Sequence, residues 1–217
     1  VNFDYFLDKK LYVEMIIDFF NQSPSILLWI SAFFLETQAL LIFGFFIYLQ
    51  SILTLIKGAF RFSIREEWIN SFLDKTKFKS TYYQVRKNLL IVNSLIIILL
   101  YTSKLMLNSG FHIFDDFKYI FEINYALNMM LIYFHASLVI DYLYVALANI
   151  MVLYGSVVKF LGIKAIATFI PLFLLIFINL FSPSLFSFIC TIILMQFITN
   201  FLSHNHFINL KHLNYDK

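Results

Sequence analysis

The chain has 217 residues, of which 61% are hydrophobic and 13% are charged, and its formal net charge is +3. A soluble domain of this size must present much of its surface to water, and a mean hydropathy of +0.80 leaves too few polar residues for that. The small net charge is no footprint for nucleic acid. The composition therefore excludes an ordinary soluble domain and a nucleic-acid partner, and it predicts a multi-spanning membrane protein.

The N-terminal segment, residues 1–22, alternates carboxylates and apolar residues at helical spacing. The carboxylates that gather on one side are Asp4, Asp8, Glu14 and Asp18. This pattern predicts an amphipathic helix that lies at the membrane interface or against a partner. Ser23 and Pro24 then resemble an N-cap followed by proline at the first helical position.

The apolar run 25–60 is about 50 Å long as a helix, which is too long for one untilted span and too short for two. Glu36, Thr37 and Gln38 divide it. We place the first span at 39–59 and expect 25–37 to extend outside the bilayer or to pack against another subunit. One long helix and a span with a re-entrant piece are both left open.

Four more spans follow a basic interfacial loop at 61–87. The spans are placed at 89–107, 125–158, 165–181 and 185–202. A tight basic turn at 159–164 separates the third from the fourth, and Pro171 is expected to kink the fourth. The single transmembrane domain therefore covers 23–202, and a polar tail occupies 203–217.

Five spans put the loop 61–87, the turn 159–164 and the C-terminus on one side of the membrane. That side receives most of the lysines and all the arginines, as the positive-inside rule requires of the matrix or cytoplasmic side. The fold class predicted from the sequence is all-α. It is a polytopic membrane protein with about five transmembrane helices, plus amphipathic helices at the N-terminus and in the loop.

The third span carries polar side chains at a regular spacing of seven residues: Asn128, His135, Tyr142 and Asn149. Residues seven apart on a helix differ by about 20° in direction, so these four form a stripe, with Asp141 beside it. Two interpretations are open. The stripe is either a hydrated proton path through His135 and Asp141, or a seam where the polar groups hydrogen-bond to neighbouring helices.

Other polar groups give weaker signals. Asn179, Gln196 and Asn200 are expected to hydrogen-bond between helices. The tail histidines His204, His206 and His212 do not match the usual zinc spacings, so a solvated tail is the simpler interpretation. No phosphate loop, nucleophile motif or paired carboxylates are present, and the sequence therefore predicts no catalytic residue and no metal site.

Residue usage indicates the compartment. The chain has 28 Phe and 13 Tyr but only 5 Gly and 3 Pro, so residues with A/T-rich codons dominate. Such bias is typical of an organellar genome or a very A/T-rich bacterium. Membrane proteins encoded in mitochondria are nearly all subunits of respiratory or ATP-synthesising complexes. We therefore expect a multi-pass protein of the mitochondrial inner membrane.

The stretch from Asp141 to Val158 resembles the third helix of NADH–ubiquinone oxidoreductase chain 6. That family has an acidic residue, then a Tyr/Val-Ala-Gly-Ala pattern, then Ile-Met-Val-Leu-Phe and a Val-Val pair. The match needs one inserted residue near Asn149, and Leu147 replaces the family's glycine, which permits a π-bulge. The resemblance implies a complex I membrane-arm subunit without a redox centre, which supports proton translocation coupled to quinone reduction.

Two shorter resemblances also lie in respiratory-chain families. Lys211 to Asp216, Lys-His-Leu-Asn-Tyr-Asp, is similar to a motif of the cytochrome b anchor of succinate dehydrogenase. It implies haem b or ubiquinone near His206, His212 and Asp216. Glu122 followed by His135-Ala-Ser-Leu is similar to a helix of cytochrome c oxidase subunit 3, although the chain is too short for that fold.

The leading functional expectation is therefore a non-catalytic subunit of an oxidoreductase complex, most simply complex I. Its partners would be the other subunits of a large hetero-oligomeric membrane complex and the lipid bilayer. The alternatives are a haem- or quinone-binding anchor of complex II and a structural accessory subunit of a respiratory complex.

Overall fold

The computed structural model describes residues 23–63, 71, 74–108, 120–144 and 157–209, and every regular element in this part is an α-helix. The helices are α1 (Ser23–Phe34), α2 (Thr37–Ser63), α3 (Lys75–Asn108), α4 (Ile120–Leu143), α5 (Val157–Phe181) and α6 (Leu185–Asn209). By length and composition α3, α4, α5 and α6 can each cross a bilayer, and α2 adds a shorter apolar segment, Thr37–Leu53. The predicted fold class, an all-α polytopic membrane protein, is confirmed.

Side-chain contacts show how the helices run. The rings of Phe43 and Phe188, near the starts of α2 and α6, have centroids 5.3 Å apart. At the other end, the hydroxyl of Tyr82 near the start of α3 lies 3.2 Å from Nδ1 of His204 near the end of α6. Consecutive helices from α2 to α6 therefore alternate in direction, as in an up-and-down bundle.

The bundle has two unlike ends. We call the end where α5 turns into α6, at residues 182–184, the hairpin end. We call the opposite end, where α4 and α6 finish and α3 and α5 begin, the basic end. Its cations include Lys79, Arg86, Lys87, Lys159 and Lys164. This distribution agrees with the expected placement of the basic residues on one side of the membrane.

Helix α4 lies at the centre of the bundle, in contact with α2, α3 and α6. Half of the residues in its 18-residue apolar stretch are buried, against 22% in the corresponding stretch of α3. One stripe of α4, at alternating spacings of three and four residues, is buried throughout: Leu127, Met130, Phe134, Ser137 and Asp141. That spacing keeps the side chains on one helix face, which here points into the core.

Aromatic rings fill the core on the hairpin side. Phe43 and Phe46 of α2 are fully buried, and the Phe43 ring packs against Phe188 of α6. The Phe46 ring meets Tyr133 of α4 edge-on, with centroids 6.0 Å apart. We call Phe43, Phe46, Tyr133 and Phe188 the aromatic cluster; its edge-on and tilted contacts are geometries that ring quadrupoles favour.

Asn179 secures the hairpin between α5 and α6. Its Nδ2 donates to the Leu175 carbonyl and to Ser187 Oγ, each at 2.8 Å, and its Oδ1 accepts from the Ser184 backbone N–H at 3.0 Å. The predicted interhelical role of Asn179 is confirmed. Pro171 lies inside α5 as expected, where its ring leaves the Ala167 carbonyl without the usual helical donor.

The run 25–60 is divided into two helices. α1 ends at Phe34 and α2 begins at Thr37, so the helix is interrupted at Leu35 and Glu36. The division expected at Glu36 is confirmed, and the run is not one long helix. The Leu35 N–H still bonds the Ser31 carbonyl at 2.8 Å, and the Leu40 N–H bonds the Glu36 carbonyl at 2.8 Å, so helical hydrogen bonding continues up to the break on both sides.

Three predicted boundaries on the basic side are wrong. Lys75–Lys87, expected in the loop 61–87, is the beginning of the long helix α3. The residues expected to form a turn at 159–164 lie inside α5, where the Lys164 ammonium reaches back to 5.9 Å from the centre of the Phe160 ring. Lysine is a good helix former whose long stem can snorkel, so charge alone does not end a helix near the interface. His204 and His206, expected in a solvated tail, belong to α6.

The predicted third span, 125–158, is not one continuous helix, because the chain bends at Tyr144. α4 ends at Leu143, Tyr144 bends the chain, and Val158 belongs to α5. The Tyr144 carbonyl accepts a hydrogen bond from Asn200 Nδ2 at 3.1 Å. A tertiary contact of this kind has no trace in an apolar sequence pattern. Several predicted segments lie outside the described residues: the amphipathic segment 1–22, the loop residues 64–70 and 72–73, the span residues 145–156, and the tail residues 210–217.

Candidate functional site

The side chain of Asp141 is fully buried where three helices meet. It lies in the last turn of α4, at the basic end of the buried stripe. Asn93 Nδ2 of α3 donates to Asp141 Oδ2 at 2.9 Å, and Asn200 Nδ2 of α6 donates to Asp141 Oδ1 at 3.1 Å. Each carboxylate oxygen therefore accepts an amide N–H from a different helix. We call Asn93, Asp141 and Asn200 the polar cluster.

The local sequence explains why both asparagines face inward. Asn93 lies on the buried stripe of α3, between Leu89 and Ile96, and is itself fully buried. Asn200 is also buried, one turn beyond Gln196 on α6. Burying an amide without partners costs several kcal/mol in an apolar medium, about 4–8 by transfer to cyclohexane, so these side chains require the carboxylate that they bond.

A second polar contact lies one helical turn deeper toward the bundle centre. Gln196 Nε2 of α6 donates to Ser137 Oγ of α4 at 2.8 Å. The interhelical roles expected for Gln196 and Asn200 are therefore both confirmed. The α4–α6 interface thus carries hydrogen bonds at two successive turns, and these fix the register of the two helices.

The amide oxygens of Asn93 and Gln196 are buried and accept no hydrogen bond from the chain, among the residues that the structure describes. With Asp141 ionised, the Asn93 amide must point its N–H toward the carboxylate, as it does. With Asp141 protonated, the same amide reversed would accept from the carboxyl O–H. The cluster can therefore serve Asp141 in either protonation state, which is the chemistry that a proton-responsive group needs.

Aromatic side chains close the basic end above the polar cluster. The Tyr144 ring meets those of Phe201 and His204 at near right angles, with centroids 5.3 and 5.5 Å apart. His204 also contacts Tyr82 of α3 through its Nδ1. On the neighbouring side, the Arg86 guanidinium carbon lies 4.1 Å from the centre of the Tyr142 ring. These contacts join α3, α4 and α6 on the outer side of the polar cluster.

The sequence-predicted stripe lies on a different side of α4 from Asp141. Its described members all contact α3: Lys104 Nζ donates to Asn128 Oδ1 at 2.6 Å, the Tyr101 ring meets His135 edge-on at 6.0 Å, and Arg86 stacks on Tyr142. His135 and Tyr142 are exposed at the edge of that contact. This geometry is that of a helix–helix seam. Asn149, the fourth member, lies outside the described residues.

His135 is tied to its own helix. Its Nδ1 donates to the Leu131 carbonyl at 2.7 Å, since a carbonyl oxygen can only accept. The structure therefore separates His135 from Asp141, which the sequence pairs in one proton path. Asp141 adjoins Tyr142 in sequence, but successive helical residues point about 100° apart, and the carboxyl turns inward while the phenol turns outward.

The tail residues named for haem or quinone are mostly outside the described part of the chain. His212 and Asp216 fall there, and His206 lies near the end of α6, partly buried. Among the residues that the structure describes, no three side chains of His, Cys, Asp or Glu come close enough together to hold a metal ion.

Two features of the site were missed from the sequence. No role was predicted for Asn93, although its three-and-four spacing with Leu89 and Ile96 indicates that it faces the core. The stacking of Arg86 on Tyr142 has no sequence signal, because it joins residues 56 positions apart.

Comparison of the chain with protein-family models, with curated protein sequences and with solved structures found no match.

Proposed function

We propose that this chain is a membrane-embedded subunit of a mitochondrial respiratory-chain complex, most simply of the complex I membrane arm, in which Asp141 supports proton translocation coupled to quinone reduction. The observation that carries the proposal is the buried carboxyl of Asp141, held by amides from two other helices. An ionisable group between transmembrane helices is expensive, and such groups characteristically mark proton or ion pathways.

The surface of the bundle supports a subunit role. α1 is twelve residues long, about 18 Å, and cannot cross a bilayer by itself. It nevertheless exposes 75% of Trp29 and 84% of Phe33. Exposed side chains of this size on a short helix suit a protein partner or the membrane interface. Co-assembly with other subunits accounts for both the short helix and its exposed rings.

Residue usage supports the compartment. The excess of Phe and Tyr and the scarcity of Gly fit an A/T-rich organellar genome. The resemblance to chain 6 begins at Asp141, the residue that the structure buries. The stretch that carries it, Asp141–Val158, does not form one helix here, since α4 ends at Leu143 and α5 begins at Val157. The proposal therefore rests on the site and not on that helix.

The first test identifies the complex. Native assemblies are extracted from the source membranes in mild detergent, separated by mass, and stained in the gel for NADH oxidation and for succinate oxidation. We expect this chain in a large assembly that takes the NADH stain. Its presence in the succinate-stained band, with a haem absorbance lost on His206→Ala, would favour the anchor function instead.

The second test addresses Asp141 in assembled complexes. Asp141→Asn removes the proton-binding group at nearly constant volume, and we expect most proton-coupled turnover to be lost while the complex still assembles. His135→Ala, on the seam with α3, is the matched control and should retain turnover. Unchanged proton pumping in assembled Asp141→Asn complexes means that the polar cluster is structural only.

A further inference from the structure

We propose that Arg86 binds the phosphate of an anionic phospholipid at the basic end of the bundle, between α3 and α4. This inference does not depend on the respiratory function. It follows from the geometry of one guanidinium, from its depth relative to the apolar part of α3, and from the charge around it.

The donors of Arg86 are positioned for a phosphate. The guanidinium carbon lies 4.1 Å from the centre of the Tyr142 ring, so one face of the group is covered. Its N–H donors lie in the guanidinium plane, in the fork that matches phosphate oxygens. Nε is buried and has no acceptor among the described residues. We assign the phosphate contact to the two terminal amino groups of the fork, because Nε itself is not accessible.

No carboxylate neutralises Arg86 in the described part of the chain. The ion pair that forms near this end joins Lys77 to Asp74 at 3.9 Å, and both of its side chains are largely exposed. α4 and α6 both end here, and helix C-termini favour cations through their dipoles. That effect attracts Arg86 to this end, but it gives Nε no acceptor.

The depth of Arg86 matches a lipid headgroup. The apolar part of α3 begins at Leu89, so Arg86 lies about one turn outside it. Tyrosines mark the same level on two helices: Tyr82 and Tyr83 on α3, and Tyr142 and Tyr144 at the end of α4. Tyrosine belts of this kind form where a helix leaves the hydrocarbon region for the headgroup layer.

The surroundings favour a lipid over a free anion. Arg86 lies close enough to His204, and Lys159 to His206, for an electrostatic interaction. These two cations make the local charge positive. Toward the bilayer centre, α4 exposes Val139 and Ile132, against which an acyl chain can lie. Basic sites between transmembrane helices on the positive side are recognised headgroup sites for anionic lipids.

The test uses the full chain purified in a neutral detergent, titrated with phosphatidylglycerol, with phosphatidylcholine and with inorganic phosphate while its thermal unfolding is followed. We expect phosphatidylglycerol alone to raise the unfolding temperature. In Arg86→Gln the apparent Kd for phosphatidylglycerol should rise by roughly tenfold or more, because charge-assisted hydrogen bonds to the phosphate are lost. Lys87→Gln removes the same charge from the adjacent, exposed position and should change the Kd little.

Three results overturn the proposal. An equal loss of affinity in Lys87→Gln and Arg86→Gln means diffuse surface attraction, and a stabilisation by inorganic phosphate equal to that by phosphatidylglycerol means a free-anion site. The third is an unchanged Kd in Arg86→Gln. If Arg86→Gln does not fold, Arg86→Lys is measured instead: it keeps the charge but not the planar fork, and a Kd like that of the original chain contradicts the assigned geometry.

Discussion

The two ends of the bundle are held together by different chemistry. On the hairpin side, the aromatic cluster joins α2, α4 and α6 through ring contacts. On the basic side, the polar cluster joins α3, α4 and α6 through hydrogen bonds to one carboxylate. Helices α4 and α6 take part in both: each contacts rings of α2 on the hairpin side, and both contribute to the bonds of Asp141 on the basic side.

The difference shows what each contact can specify. In a bilayer the lipid tails are as apolar as the side chains, so ring packing gains dispersion energy but little hydrophobic driving force. Packed rings also accept several arrangements of similar volume. A carboxylate bonded to two amide donors permits few arrangements of the helices, because a shifted helix leaves buried donors unsatisfied. We therefore infer that the aromatic cluster supplies more stability and that the polar cluster specifies the register.

The largest expected effect is at the aromatic cluster. Phe188→Ala opens a cavity beside Phe43, and we expect a loss of about 3 kcal/mol in the free energy of unfolding, at the low end of the range for buried Phe. Phe188→Leu, which keeps most of the volume, should cost about 1–2 kcal/mol. Denaturant unfolding in mixed micelles measures both. A Leu variant as unstable as the Ala variant would contradict the proposed difference between the two ends, because ring packing would then tolerate substitution no better than the hydrogen bonds do.

Sequence reasoning reached the fold class and the identities of several interhelical side chains, because both depend on local pattern. Runs of apolar residues predict helices that cross a membrane, and an amide inside such a run predicts a hydrogen bond across an interface. Asn179, Gln196 and Asn200 follow this rule. Their partners could not be predicted, since Ser137 and Asp141 are 59 positions from Gln196 and Asn200 respectively.

The failures share a physical origin. Next to the end of α4 at Leu143, the Tyr144 carbonyl accepts a hydrogen bond from Asn200, which belongs to a helix that comes later in the chain. The described members of the heptad stripe, Asn128, His135 and Tyr142, lie along the contact of α4 with α3, whereas Asp141 is buried in the core. Asp141 lies on the three-and-four spaced stripe with Phe134 and Ser137, and following that spacing through α4 would have separated it from His135.

The second prediction concerns the carboxylate of the polar cluster. Asp141→Ala leaves the buried Asn93 amide without its acceptor and leaves Asn200 with the Tyr144 carbonyl alone. We expect a loss of about 2–3 kcal/mol in the free energy of unfolding. Asp141→Leu restores the volume but not the acceptor, so it should be no more stable than the Ala variant. Unfolding in mixed micelles tests both. A Leu variant as stable as the original chain contradicts the register role, because volume alone would then suffice.

The third prediction tests whether the two amides act through one carboxylate. Asn93→Ala and Asn200→Ala should each cost about 1 kcal/mol, and the double variant should cost less than the sum by about 0.5 kcal/mol or more, because both lose bonds to Asp141. A double-mutant cycle on the free energy of unfolding measures the coupling. Asn179→Ala, in the hairpin at the other end, replaces Asn200→Ala in the control cycle and should add independently. Coupling of equal size in both cycles contradicts a local polar cluster.

The smallest effect is expected where a polar contact lies at the edge of the bundle. Lys104 Nζ donates to Asn128 Oδ1 at 2.6 Å on the hairpin side of the α3–α4 seam, and both side chains are partly exposed. Lys104→Met keeps the apolar stem, so we expect a loss of only about 0.5 kcal/mol, typical of interhelical polar contacts in membranes. Asn128→Leu removes the same contact from the other helix and should cost a similar amount. A loss approaching that of Asp141→Ala in either variant would place register control along the whole seam and remove the contrast between the two ends.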